Sequence, residues 1–138
     1  MADQGRMIKM WFRKSAQDLQ TAKLLLAQNS EVFWGPLVFH AQQSAEKAIK
    51  GFLVFNKIRF SKTHDMNILV NLVADVDKQL SEELDYAKVL TKYAVAYRYP
   101  EENEPPEKLT QKSCEKIVEI ANNIYMKLNS SLSGISED

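Results

Sequence analysis

The 138-residue sequence is poor in cysteine and glycine, and both shortages exclude classes of protein. Its single cysteine, Cys114, has no partner for an intrachain disulfide and supplies too few thiols for a cysteine-rich metal site. Only four glycines are present, and none forms part of the glycine-rich loops that cradle phosphates in common nucleotide-hydrolysing enzymes. We therefore predict a protein with no metal and no cofactor, stabilised by its hydrophobic core.

The chain also lacks a net charge and a long apolar run. Lysine plus arginine (18) balance aspartate plus glutamate (18), so no overall positive field attracts nucleic acid or an anionic membrane. Nucleic-acid binding would need a local basic patch. Nowhere do about 18 uncharged apolar residues follow one another, and the N-terminus lacks the apolar core of a signal peptide. We expect a cytoplasmic protein with no membrane partner.

Hydrophobic residues make up 45% of the chain and recur at intervals of three and four, which is typical of amphipathic helices. The pattern predicts helices over residues 7–28, 36–55, a short segment after 65, 81–97 and a last segment after 110. Because the connections are short and no strand-like alternation occurs, we predict an all-α fold: an up-and-down antiparallel bundle of four main helices plus one short helix. Residues 1–130 form a single domain, and residues 131–138 are expected to be a flexible tail.

Capping residues and prolines mark the predicted helix ends. Thr63 or Asp65 can cap the short third helix, and Thr110 the fifth. Ser81, followed by two glutamates, is the expected cap of the fourth helix. The segment Pro100–Pro106 must end that helix, because proline lacks an N–H and disfavours helical geometry just before itself.

The second helix combines small and polar side chains. Its small residues let a neighbouring helix approach closely and predict a central position: Ala41, Ser44, Ala45 and Ala48. Four polar residues form one ridge at spacings of three, four and three: His40, Gln43, Lys47 and Lys50. Such a ridge is by default a solvated face, on which Glu46 and Lys50 can pair, and the alternative is a binding site.

Asp18 falls on the inward face of the first helix, in one seam with Ser15 and Ala22. A carboxylate at such a position is costly unless it is paired or hydrogen-bonded. One interpretation is that it caps a local turn or forms an ion pair with Lys14 or another neighbouring basic residue. The other is a role in a functional site.

Arg98 lies between Tyr97 and Tyr99, at the C-terminal end of the predicted fourth helix. A cation is favourable there because it complements the helix dipole. Two readings follow for this arginine. It can be the buried partner of Asp18, holding the first and fourth helices together, or it can clamp a phosphate with its guanidinium fork while a tyrosine stacks on it or on a base.

Taken together, these segments resemble the HEPN family, the higher eukaryotes and prokaryotes nucleotide-binding domain. The likeness extends from about Met7 to Leu128 and includes "WFRKSAQDLQTAKLLL", "VFHAQQSAEKAIKGFLVF", the "THD" loop and "RYP". The resemblance implies a mostly antiparallel helical bundle that is commonly a homodimer. It also implies a toxin–antitoxin-like module, in which the partner is a minimal nucleotidyltransferase encoded nearby.

Catalytic members of that family are metal-independent ribonucleases with an arginine followed, after four to six residues, by a histidine. The matching arginine is Arg98, but the corresponding later positions hold Asn103, Glu104 and Pro105. A carboxamide cannot act as a general base, so we predict binding rather than catalysis. If the protein is an enzyme, we expect an endoribonuclease in which His40 or His64 transfers the proton.

The sequence therefore predicts a site that binds a nucleotide, RNA or the nucleotidyltransferase. Its candidate residues are Asp18, His40, Lys47, Lys50, Arg98 and Tyr99. A local basic patch is predicted from Lys47, Lys50, Lys57, Arg59 and Lys62. An excess of aromatic side chains favours a homodimer interface: Trp11, Phe12, Phe33, Trp34 and Phe39.

Overall fold

The computed structural model describes residues 2–102, 105 and 108–132, and within that part of the chain it contains helices and no strand. The all-α prediction is confirmed. The helices are α1 (Ala2–Ala27), α2 (Trp34–Phe55), α3 (Met66–Val73), α4 (Lys78–Glu83), α5 (Lys88–Arg98) and α6 (Gln111–Ser130). Single 3-10 turns, Glu31–Phe33 and Asp85–Ala87, lead into α2 and α5. The tail predicted over residues 131–138 lies mostly outside the described residues.

Helix α2 is the centre of the bundle and contacts α1, α3, α5 and α6. Gln4 Nε2 donates to the Val54 carbonyl at 2.8 Å, and Ser15 Oγ donates to the Ser44 carbonyl at 2.7 Å. The start of α1 therefore lies beside the end of α2, and the two helices are antiparallel. The small residues predicted to be central are fully buried: Ala41, Ser44, Ala45 and Ala48.

Helix α6 covers a second side of α2 and also packs on α1. Gln111 Nε2, in its first turn, donates to the Leu26 carbonyl at the end of α1, at 3.1 Å. Near the other ends of these helices, the rings of Phe12 and Tyr125 meet edge to face, 6.2 Å apart. Helix α6 thus runs antiparallel to α1.

Most of the predicted helix ends are confirmed. Asp65 caps α3 by accepting from the Asn67 amide, while Thr63 Oγ1 accepts from the amide of Asp65 itself. Thr110 caps α6 in a reciprocal capping box with Ser113. Helix α5 ends at Arg98, two residues before the first proline of the proline segment.

The prediction for Ser81 is wrong. Asp77 is the cap, accepting from the Leu80 amide at 3.0 Å, and it starts α4 earlier than expected. Ser81 is buried inside α4, where its hydroxyl donates to the Val70 carbonyl at 2.7 Å. The predicted fourth helix is instead divided into α4, a 3-10 turn and α5. Leu84, between α4 and the turn, is fully buried.

Four of the five aromatic side chains proposed for a dimer interface make contacts within the chain: Trp11, Phe12, Trp34 and Phe39. Phe12 is in the core, and the other four are half-buried. Trp11 packs edge to face on Phe60 with the ring centroids 6.4 Å apart. The homodimer interface stays a prediction.

A candidate ligand groove between α2 and α5

A groove of about 210 Å³ lies between α2, α5 and the loop before α3. Its walls combine aromatic faces with polar groups, which is the usual make-up of a ligand site. The lining residues are Phe39, Gln42, Gln43, His64, Thr91, Ala94, Val95, Arg98 and Tyr99.

Arg98 is exposed at the last residue of α5 and at one end of this groove. Its guanidinium carbon lies 5.5 Å from the centre of the Phe39 ring and 5.8 Å from that of Tyr99. Both distances are within the range of cation–π attraction. The aromatic rings orient the guanidinium at the mouth of the groove.

The suggested ion pair between Asp18 and Arg98 is wrong. Asp18 is instead bonded to two residues of α2: one carboxylate oxygen lies 2.9 Å from His40 Nδ1, and the other 2.5 Å from Lys47 Nζ. A carboxylate on the inward face is best satisfied from the helix that it faces, and α1 faces α2. Asp18, His40 and Lys47 form what we call the Asp18 cluster.

A second cluster also combines a carboxylate, a lysine and a histidine: Glu46, Lys50 and His64. The Glu46 carboxylate accepts from Lys50 Nζ at 3.1 Å and lies 2.9 Å from His64 Nδ1. Glu46 and Lys50 are only 2% and 7% exposed, whereas the His64 side chain is 80% exposed. We call this group the Glu46 cluster. It connects the interior of the bundle to the groove that His64 lines.

Lys50 is not on a solvated face, contrary to the default reading of its ridge. Its ammonium lies 5.5 Å from the centre of the Trp11 ring and 5.9 Å from that of Phe60. The two rings and the Glu46 carboxylate surround the charge. The close pairing of Glu46 with Lys50 was expected, but its burial was not, because ridge spacing alone cannot tell which flank of a helix another element covers.

The six predicted site residues therefore divide into three places. Arg98 and Tyr99 line the groove together with His64. Asp18, His40 and Lys47 form the neighbouring Asp18 cluster, whose His40 ring contacts Phe39 at 5.3 Å between centroids. Lys50 belongs to the buried part of the Glu46 cluster.

The predicted basic patch is not continuous. Lys57, Arg59 and Lys62 are exposed, but Lys47 is bonded to a carboxylate and Lys50 is buried. In the groove itself, Arg98 is the cation that lines the wall. Among the described residues, the groove has no continuous row of lysines of the kind that follows a long anionic strand.

Sequence reasoning did not identify Gln42 as a site residue. Its Nε2 donates to the His64 carbonyl at 3.2 Å, which fixes the loop carrying the histidine. Its buried Oε1 has no hydrogen-bond partner among the described residues. The sequence signal was weak: Gln42 and Glu46 are four apart on α2, and both face the "THD" loop.

The described part of the chain has no group of three or more His, Cys, Asp or Glu side chains that could hold a metal ion. Over the same residues, no helix is long and apolar enough to cross a membrane. Asn103 and Glu104, at the positions where catalytic family members have a histidine, lie outside the described residues.

Comparisons with known proteins agree with the fold. A family model of the HEPN domain matches residues 8–131. The candidate toxin MJ1304 of Methanocaldococcus jannaschii is 27% identical, over 90% of this chain and 89% of its own length. The crystal structure of TT1696 from Thermus thermophilus superposes with a TM-score of 0.70 at 26% identity, covering 91% of this chain and 98% of that one. That of ST0689, an archaeal HEPN homologue, has a TM-score of 0.66 at 24% identity, covering 90% and 96%.

Proposed function

Because the chain belongs to the HEPN family, we propose that it acts in a toxin-like role by binding RNA or a nucleotide in the groove between α2 and α5. One observation carries the proposal: an exposed guanidinium, that of Arg98, is held between aromatic rings in a groove that also contains a histidine. A guanidinium binds phosphate through two parallel N–H donors, and aromatic faces stack on bases.

The size of the groove restricts the ligand. At about 210 Å³ it is smaller than the usual pocket of about 300–1,000 Å³ that encloses a small molecule. It suits one phosphate with part of a base, as when a single strand of RNA crosses the surface. Phe39 and Tyr99 would stack on the base, while Thr91 and Gln43 supply hydrogen-bonding groups.

Binding can be tested by fluorescence anisotropy with a short single-stranded RNA and with nucleoside phosphates. Arg98→Ala should weaken binding by about tenfold or more, since charged hydrogen bonds contribute about 1.5–3 kcal/mol. Lys92→Ala removes an equal charge from an exposed position on the same helix and should have little effect. Equal affinity of the two variants would refute the assignment of the groove.

The proposed module has two protein partners, a second copy of this chain and a minimal nucleotidyltransferase. Both rest on the family resemblance, and the toxin-like relative is consistent with an antitoxin partner. Co-expression with the neighbouring gene tests the second, with copurification at a defined stoichiometry as the supporting result. Light scattering of the purified chain tests the first, and a monomeric mass at working concentration would exclude it.

A second candidate function is a metal-independent ribonuclease, favoured by the position of His64 in the same groove as Arg98. His64 accepts the proton of a ribose 2′-hydroxyl, whose oxygen attacks the adjacent phosphorus. The bond from phosphorus to the 5′-oxygen breaks, and that oxygen takes a proton from water. Arg98 stabilises the charge that develops on the phosphoryl oxygens. The products are a 2′,3′-cyclic phosphate and a 5′-hydroxyl.

Induced expression and an RNA cleavage assay with chelator present distinguish the two candidates. A ribonuclease should arrest growth and leave cyclic phosphate ends, and both effects should disappear in Arg98→Ala and His64→Gln. His40→Gln is the matched control, because His40 belongs to the Asp18 cluster and does not line the groove. Intact RNA and unaltered growth with the wild-type chain would reject catalysis while leaving the binding proposal open to its own test.

A further inference from the structure

The two histidines of this chain are held in the same way. Each has its Nδ1 against a carboxylate that also binds a lysine: His40 with Asp18 and Lys47, and His64 with Glu46 and Lys50. The clusters differ in burial. The carboxylate and lysine behind His64 are almost fully buried, whereas Lys47 in the Asp18 cluster is partly exposed.

We propose that Glu46 and Lys50 are positioning residues that set the tautomer and orientation of His64, and so present its Nε2 to the ligand groove. The proposal rests on the second candidate function above, in which His64 accepts a proton. Neither residue lines the groove, so both act through the histidine.

The chemistry of the donors fixes the tautomer. An ionised carboxylate can only accept hydrogen bonds, so Nδ1 of His64 must carry the proton that lies between it and Glu46, at 2.9 Å. A neutral imidazole has one N–H, which leaves Nε2 with a free lone pair. Since the side chain is 80% exposed, that lone pair is open to a substrate hydroxyl.

Lys50 supplies the positive charge that pairs with the buried Glu46 carboxylate. An isolated buried carboxylate is costly and tends to take up a proton, in which case it could donate rather than accept. The ammonium of Lys50, 3.1 Å away and covered by the rings of Trp11 and Phe60, compensates that charge inside the bundle. Because Lys50 is itself buried, solvent does not screen the pair as it screens a surface ion pair.

Gln42 holds the backbone of His64. Its amide donates to the His64 carbonyl at 3.2 Å, so the histidine is held by its backbone as well as by its ring. A general base must lie within hydrogen-bond reach of the proton that it abstracts, and this two-point attachment limits how far the ring can move.

The test is a nitrogen-15 NMR spectrum of the imidazole rings in the free protein, recorded at a pH where both rings are neutral. With only two histidines in the chain, His40→Gln assigns both sets of signals. Wild-type His64 should show the proton on Nδ1. In Glu46→Leu/Lys50→Met, which replaces the pair with apolar side chains of similar size and should still fold, the proton should move to Nε2, the nitrogen that free imidazole side chains favour.

Lys50→Met alone tests the lysine. The single-proton Nδ1 signature should be lost, because the Glu46 carboxylate is then buried without the cation that compensates its charge. Lys47→Met is the matched control: it removes the lysine of the Asp18 cluster and should leave the His64 signals unchanged. Persistence of the Nδ1 proton in the double variant would overturn the role of Glu46, and persistence in Lys50→Met that of Lys50.

Cleavage measurements separate this inference from the function on which it rests. The double variant should retain RNA affinity through Arg98 while the cleavage rate falls by about tenfold or more, since a misoriented base is a poor base. A tautomer that changes in the double variant, together with a wild-type protein that does not cleave RNA, would support the positioning and reject the ribonuclease. A double variant that keeps the wild-type tautomer and cleaves RNA at the wild-type rate would reject the positioning role and support the ribonuclease.

Discussion

Glu46 and His64 lie 2.9 Å apart, yet the carboxylate is 2% exposed and the imidazole side chain 80% exposed. The bond crosses the boundary between the core and the groove. Its acceptor is fixed by tightly packed elements, while its donor can meet a ligand. This is the arrangement by which a rigid interior can orient a reactive group on a surface.

Breaking the buried pair should destabilise the protein more than replacing it. Glu46→Ala leaves Lys50 buried without its carboxylate and should lower the free energy of unfolding by about 3–5 kcal/mol. Glu46→Leu/Lys50→Met should be close to wild type, because well-packed apolar side chains avoid the desolvation cost. Urea unfolding of both variants tests this, and a double variant as unstable as Glu46→Ala would contradict it.

Arg98→Ala should change stability little. Its contacts with Phe39 and Tyr99 are at an exposed helix end, where a cation–π interaction contributes about 0.5–1 kcal/mol. Thermal and urea unfolding should place it within about 1 kcal/mol of Lys92→Ala. A loss of several kcal/mol would instead show that Arg98 stabilises the fold beyond these two contacts.

Gly51→Ala should destabilise the contact between α1 and α2. A Cβ at this position would lie 2.6 Å from Cε2 of the buried Phe12 ring and 3.1 Å from Cβ of Trp11. Overpacking of about 1–3 kcal/mol should exceed the gain in helix propensity of about 1 kcal/mol. Gly5→Ala is the control and should be neutral or stabilising, since among the described residues no atom outside the local helix backbone lies within 4 Å of its added Cβ. Equal unfolding midpoints for the two variants would contradict this prediction, because α1 would then accommodate the added methyl group without loss of stability.

Cys114 should react slowly with alkylating reagents in the folded protein. Burial raises the pKa of its thiol from 9.0 to about 11, so the reactive thiolate is about a hundredfold scarcer at pH 8 than in an ordinary thiol. The rate should keep rising with pH beyond 9, and unfolding in urea should abolish the protection. Iodoacetamide labelling followed by mass spectrometry checks this, and rapid labelling of the native chain at pH 8 would contradict it.

The same thiol makes a predictable contribution to stability against pH. Because the folded pKa lies above the unfolded one, the folded state holds more protons between pH 9.0 and about 11, and stability falls as pH rises through that range. Cys114→Ala should lose this contribution. Between pH 8 and pH 11, the free energy of unfolding should fall less steeply with pH in the variant than in the wild type. Identical slopes would contradict the raised pKa of the Cys114 thiol.

The fold was largely predictable because helix periods, caps and prolines are local signals. Thr110 and Asp65 cap helices as predicted, and α5 ends at Arg98 before the proline segment. Ser81 was misread because two residues, Asp77 and Ser81, satisfy the same local rule. The choice between them depended on a carbonyl at Val70 that only the folded chain brings within reach.

The site was predictable in its members more than in its arrangement. Arg98 and Tyr99 do lie together on a groove, and Asp18 does need a basic partner, but its partners are His40 and Lys47. Residue spacing does not predict which carboxylate pairs with which cation on another helix, since several pairs are compatible with the same spacing.

The sequence by itself determined an all-helical chain centred on its second helix, because spacing, small residues and caps act between near neighbours along the chain. Only the tertiary structure decided which polar residues are buried and which meet a ligand. Lys50 and His64 are both polar residues in ordinary local sequence, yet packing against Trp11 and Phe60 buries the first, and the loop before α3 exposes the second. Desolvation depends on what other elements cover, and that is a property of the assembled bundle.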